Sequence, residues 1–146
     1  MFLTQLRRLS LGFTVLLLLL ITSPLVAQQA QLELSEAIAD ASRQLIGSLD
    51  TAQRAQATYE FGSEERLNWH FIPRPRQGIT LKELEAAQLV AARELLQTLF
   101  SAKGFQKTES VRDLENVLAV LEPNGPFVRD PDLYYLTVFG EPAMRS

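Results

Sequence analysis

The chain has 146 residues, 47% of them hydrophobic and 21% charged, with one His, no Cys and a formal net charge of −3. That length holds one domain at most. The missing cysteine excludes a disulfide scaffold, a thiolate nucleophile, a thiolate zinc site and an acylated lipoprotein cysteine.

Leu9 to Val26 is almost wholly apolar, so the mean hydropathy of +0.02 averages two different materials. Arg7 and Arg8 form a positive n-region, Val15 through Ile21 an apolar centre, and Ser23, Pro24 and Ala27 a break ending in a small residue. This is the layout of a signal peptide. Two readings stay open. Cleavage after Ala27 leaves Gln28 as the N-terminus but puts the large Leu25 at the minus-three position. An uncleaved signal anchor is the alternative, since the run approaches the ~18–20 residues that span a bilayer. Both keep the N-terminus cytoplasmic and deliver residues 28–146 to the periplasm or the exterior. Arg7, Arg8 and Leu11 also resemble a twin-arginine signal, with Ser10 where that pattern prefers Phe. Removing residues 1–27 takes away two of the 14 basic residues and none of the 17 acids, leaving a net charge of −5. A generic nucleic-acid binder is therefore disfavoured. Membrane contact is expected only through residues 9–26, if they stay attached.

Between Leu32 and Leu49, the residues Leu34, Ile38, Ala41, Leu45 and Leu49 recur at three- and four-residue steps, which predicts an amphipathic helix. Asp50 with Gln53 predicts a capped second helix reaching about Thr58 and ended by Gly62 and Ser63. From Arg66 to Ile72 the period changes. Leu67, Trp69 and Phe71 alternate with Asn68 and His70, as in a short half-buried strand. Pro73-Arg74-Pro75-Arg76-Gln77-Gly78 is expected to be an extended loop, because proline fixes its own φ and biases the residue before it.

Thr80 with Glu83 forms a capping-box pair for a third helix, with a stripe of Leu81, Leu84, Ala91, Leu95 and Leu99 running toward Ala102. Gly104 is read as punctuation. Thr108 or Ser110 is expected to cap a fourth helix with Val111, Leu114, Val117, Leu118 and Leu121 on its apolar face, stopped by Pro123-Asn124-Gly125-Pro126. Leu133 to Phe139 is apolar on both alternating faces and reads as a strand covered on both sides. Only Leu67–Phe71 offers itself as a partner. The expected fold is α+β, about four helices packed on a small, incomplete sheet after the signal segment. Residues 28–146 are expected to be the N-terminal part of a larger domain.

Two runs carry a resemblance. Glu65-Arg66-Leu67-Asn68-Trp69-His70-Phe71-Ile72-Pro73-Arg74 is the first. Asp130-Pro131-Asp132-Leu133-Tyr134-Tyr135, followed by Val138-Phe139-Gly140-Glu141-Pro142, is the second. Together with Ser48-Leu49-Asp50 and Gln53-Arg54 they resemble the exported bacterial family catalogued as "domain of unknown function 3500", over most of residues 35–142. The resemblance implies a domain considerably longer than this chain, in which the Phe-Gly-Glu-Pro segment leads into a tryptophan-rich run and then paired histidines in β-structure. On that reading the chain is a fragment without activity alone. The family carries no assigned reaction.

His70, the only imidazole, is the first catalytic candidate, with Arg74 beside it. The competing reading makes His70 a hydrogen-bonded structural residue. A zinc site within the chain is disfavoured because only carboxylates would join His70, and the residues name no cofactor. Guanidinium forks suit carboxylates or phosphates, so Arg66, Arg74 and Arg76 are candidates for an anion pocket. Ion pairs with Glu64 and Glu65 are their structural alternative. Asn68, Trp69 and Tyr134 are ligand-binding candidates.

Asp130 and Asp132 with Glu141 would suit calcium, but turn chemistry explains Asp-Pro-Asp equally. Tyr134 and Tyr135 must point to opposite faces of a strand. No P-loop, dinucleotide glycine motif, nucleophile elbow, EF-hand loop or Asn-x-Ser/Thr sequon occurs. Three functional classes follow: an inactive N-terminal part of an uncharacterised domain, part of an extracytoplasmic metal-assisted hydrolase using His70 and Arg74, or a binding module in which Trp69, Tyr134 and Arg74 line a groove.

Overall fold

A computed structural model describes residues 26–72 and 74–143. The signal segment expected at residues 1–27 lies almost wholly outside them. Among the described residues, no helix is long and apolar enough to cross a membrane. The chain divides into two compact units at Glu36 and Ala37.

Helix α1 covers residues 26–48. In the first unit Leu34, placed on the apolar stripe by its spacing, is exposed. In the second unit Ala39, Leu45 and Leu49 are buried and Ala41 packs against the core.

Helix α2, Thr51–Ala57, begins as expected. Asp50 accepts from the Gln53 amide at 2.8 Å, and the Gln53 side chain accepts from the Asp50 amide at 3.0 Å. It stops one residue short of Thr58, whose extended backbone opens the two-residue strand β1, Thr58–Tyr59.

No strand forms over residues 66–72. Glu64–Leu67 is a 3₁₀ turn capped by Ser63, closed by the Asn68 amide donating to the Glu65 carbonyl at 3.0 Å. Leu67, Trp69 and Phe71 are 79%, 81% and 86% exposed. The alternation was real, but the Ser63 hydroxyl accepts from the Glu65 amide and the Asn68 amide closes the turn on the Glu65 carbonyl, so the backbone is satisfied locally, and Ser competes with sheet ladders in this way. Residues 74–78, the described part of the expected loop, lack regular structure, as expected. The loop ends at Gly78, whose φ of 116° is open to glycine alone. A Cβ there would stand 2.3 Å from the Thr137 hydroxyl and 2.7 Å from the Leu136 carbonyl oxygen.

Strand β2, Ile79–Thr80, pairs antiparallel with β3, Tyr135–Leu136, while β1 pairs parallel with β4, Val138–Phe139. The C-terminal apolar run is therefore one extended stretch serving two small sheets, broken at Thr137, whose hydroxyl donates to the Gln77 carbonyl at 3.1 Å. Its residues are half-buried, less covered than the two-sided pattern predicted. Its partners are β1 and β2 rather than residues 67–71. Strands of two residues are too short for a period-2 pattern to be visible.

The Thr80–Glu83 capping box exists, but it closes only a 3₁₀ turn, Leu81–Glu83, before Leu84 returns to extended backbone. Helix α3, Ala86–Leu99, starts at a second box, Glu85 with Gln88. The two box glutamines also pair amide to amide: Gln88 donates to Gln53 at 2.7 Å and accepts from it at 3.0 Å. This joins the first turns of α2 and α3. Ile79, Leu81, Leu84, Ala91, Ala92 and Leu95 meet Leu45, Leu49 and Ala57 in the core.

Helix α4, Ala102–Leu121, begins earlier than expected because Ser101, rather than Thr108 or Ser110, accepts from the Gly104 amide. Gly104 lies inside the helix. Thr108 and Ser110 instead donate back to the carbonyls of Gly104 and Gln106. Among the described residues, four α-helices and two small sheets make the fold α+β.

Candidate functional site

A cleft of about 590 Å³ is formed by parts of the chain that are distant in sequence. The loop after the 3₁₀ turn contributes Phe71 and Arg74–Arg76, and α4 contributes Glu115. The segment after the Pro123–Pro126 turn contributes Phe127, Arg129 and Asp130. Leu133, Tyr134 and Tyr135 lead from there into β3. Volumes of ~300–1,000 Å³ are usual for small-molecule sites.

The loop's shape comes from Arg76. Its guanidinium donates to the backbone carbonyls of His70, Ile72 and Arg74, satisfying acceptors in a stretch with two prolines. Arg76 thus organises the loop that presents Arg74. Among the described residues, neither Arg74 nor Arg76 has a carboxylate partner.

Arg129 is anchored differently. Its Nε and one terminal nitrogen donate to the same oxygen of Glu122 at 3.2 and 2.7 Å, while its other terminal nitrogen lies 3.6 Å from Glu115. The guanidinium carbon is 5.6 Å from the centre of the Phe127 ring, within cation–π range. The Glu122 hydrogen bond holds the guanidinium above its already high ordinary pKa.

Tyr134 packs against the core from the cleft side. Burial first, and the charge of Glu115 second, push its phenol above the ordinary value, so it is a protonated donor at neutral pH. Asp130 is occupied structurally. It accepts from Lys82 at 2.7 Å and from the Asp132 amide at 2.9 Å, which holds its carboxyl below the usual range. The Asp-Pro-Asp stretch is therefore a turn, and Glu141 is not part of it.

Of the catalytic and ligand-binding candidates read from the sequence, Arg74, Arg76 and Tyr134 border the cleft and Arg66, Asn68, Trp69 and His70 do not. His70 contacts the Asn68 side-chain oxygen at 2.7 Å, and Asn68 donates to Glu65 at 2.8 Å. Arg66 stacks over the Phe61 ring at 4.3 Å instead of pairing with Glu64 or Glu65. Trp69 faces solvent. Among the described residues, no three His, Asp or Glu side chains come together to hold a metal ion.

Glu115, Phe127 and Arg129 were missed because no motif links them. The one available signal was Phe-Val-Arg directly between a proline-rich turn and Asp-Pro-Asp, a short unassigned stretch with an aromatic and a cation two residues apart.

A family model described as "Protein of unknown function (DUF3500)" matches residues 31–146. The chain belongs to the DUF3500 family. The match spans every element of the second unit, including all parts of the cleft. No curated protein and no solved structure matches the chain.

Proposed function

We propose that this DUF3500 chain is an exported binding domain whose ligand occupies the cleft among Arg74, Arg129 and Tyr134. The cleft itself carries the reading: a volume suited to a small molecule, aromatic rings, and the Arg74 guanidinium, which has no carboxylate partner among the described residues. The hydrolase reading gains less support. His70 and Asn68 stand outside the cleft lining, and its two carboxylates are taken up in ion pairs, Glu115 with Arg129 and Asp130 with Lys82, instead of standing as a base beside a nucleophile. Export rests on the sequence alone, on Arg7 and Arg8 followed by the apolar run and Ala27.

Nuclear magnetic resonance of the full chain against neutral, cationic and anionic ring compounds tests the binding role. The expected result is saturable shifts confined to residues 71–76, 115 and 126–135, with every compound recovered unchanged. Conversion of a compound, or shifts confined to other residues, would contradict the reading. Export is checked by expressing the full chain in a bacterial host, fractionating the cells and sequencing the N-terminus. Material retained in the cytoplasm would end that part of the proposal.

A further inference from the structure

The chemistry of the cleft allows its ligand class to be narrowed, on the reading that the cleft is a binding site. Its lining carries three arginines, Arg74, Arg76 and Arg129, against two acids, Glu115 and Asp130, an excess of one positive charge. Arg76 spends its donors on backbone carbonyls, and Arg129 is gripped by Glu122 through two of its three nitrogens. Two positions are left for an incoming anion. One is Arg74. The other is the Arg129 nitrogen that now faces Glu115 at 3.6 Å, a long contact that an incoming oxygen can replace. Beside them stand the rings of Phe127 and Tyr134, the latter with a phenol that can donate.

We infer that the cleft takes a ligand with a ring body and a single carboxylate, the carboxylate between Arg74 and Arg129 and the ring against Phe127 and Tyr134. A guanidinium fork matches the two oxygens of a carboxylate. Single charge follows from the lining's excess of one positive charge, which a dianion would exceed, leaving one of its charges beside Glu115 without a counterion. The ring requirement follows from the aromatic lining, which gives faces for stacking or edge contacts.

Titration of the full chain, read by amide shifts, uses benzoate and glucuronate as an aromatic and a sugar source of the same group. Benzamide serves as the neutral counterpart of benzoate, and phenyl phosphate as the dianion. Saturable shifts at residues 71–76 and 126–135 with at least one carboxylate are expected, at least tenfold tighter for benzoate than for benzamide. Arg74→Gln should weaken carboxylate binding at least tenfold while leaving the spectrum outside residues 71–76 in place. Benzamide binding in the cleft as tightly as benzoate would overturn the carboxylate assignment yet leave the cleft a binding site. Tighter binding of phenyl phosphate would overturn the single charge. Failure of all four compounds to shift cleft residues would overturn this inference, and failure of the wider ring-compound set as well would overturn the binding role.

Discussion

Helices α3 and α4 follow one another with only Phe100 and Ser101 between them, and they are held in place by different forces. Helix α3 buries Gln88, Ala91, Ala92 and Leu95 within 14 residues. The small pair Ala91 and Ala92 lets its backbone approach Leu45, Leu49 and Ile79 closely. Helix α4 is six residues longer and, among the described residues, buries none. Leu114 and Leu121 of its apolar stripe are 54% and 70% exposed.

Charge tethers α4 instead. Arg93 of α3 reaches Glu109 at 2.7 Å, and Arg112 binds Glu109 and Asp132 at 2.9 Å each and donates to the Pro131 carbonyl. Arg129 bridges to Glu115 and Glu122 near the end of the helix. A helical stripe in sequence thus announces a helix, while the degree of burial depends on what lies opposite. The cleft belongs to the charge-held side, through Glu115 and Arg129.

The contrast is most sharply broken in the core. Leu95→Ala should destabilise the chain by about 2–5 kcal/mol, the usual cost of a large-to-small change at a buried site, as measured by chemical denaturation. A change below about 1 kcal/mol would mean that α3 is not anchored by burial. Next in size is Arg112→Met. Losing hydrogen bonds to charged groups should cost about 1.5–3 kcal/mol, and the loss should shrink in high salt because salt screens ion pairs. Equal loss at low and high salt would argue against a charge-held α4. Leu114→Ala should cost less than about 1 kcal/mol, since the side chain is already half in water, and a larger loss would mean that something covers this face.

The smallest effect is with acid. Hydrogen bonds from the Thr80 hydroxyl, the Gln56 side chain and the Thr80 amide hold the Glu83 carboxyl below its ordinary value of 4.5, and Lys82 does the same for Asp130. Both contribute stability that is present above their ordinary values and lost as pH falls through the lowered ones. Thermal melts from pH 6 to pH 3 should therefore show a falling midpoint, and Glu83→Ala should flatten part of the fall. An unchanged slope in that variant would remove the capping box as a cause.

Local chemistry was legible in the sequence and tertiary partners were not. Asp50 with Gln53 marked the start of α2 correctly, because a capping box is written in four adjacent residues. Thr80 with Glu83 was equally real, yet it closed only a 3₁₀ turn, since Leu84 had to leave helical backbone before Glu85 and Gln88 restarted it. The alternation over residues 66–72 misled because periodicity does not record whether a neighbouring strand exists, and here Ser63 and Asn68 settled the backbone locally. At the cleft, Arg74, Arg76 and Tyr134 were chosen for their chemistry. Glu115 and Arg129 could not be, as the packing of α4 brings them there and no spacing encodes that contact. The Gln53–Gln88 pair was hidden for the same reason, its two amides lying 35 residues apart.

Amide hydrogen exchange of the full chain, with and without benzoate, separates a burial-held α3 from a charge-held α4 and reads the cleft at the same time. Without benzoate, exchange should be slow in α3 around Ala91–Leu95 and faster along α4. With benzoate, protection should rise in residues 126–135 and at Glu115 while α3 stays unchanged. Equal protection of the two helices, with no benzoate response in residues 126–135, would contradict both expectations.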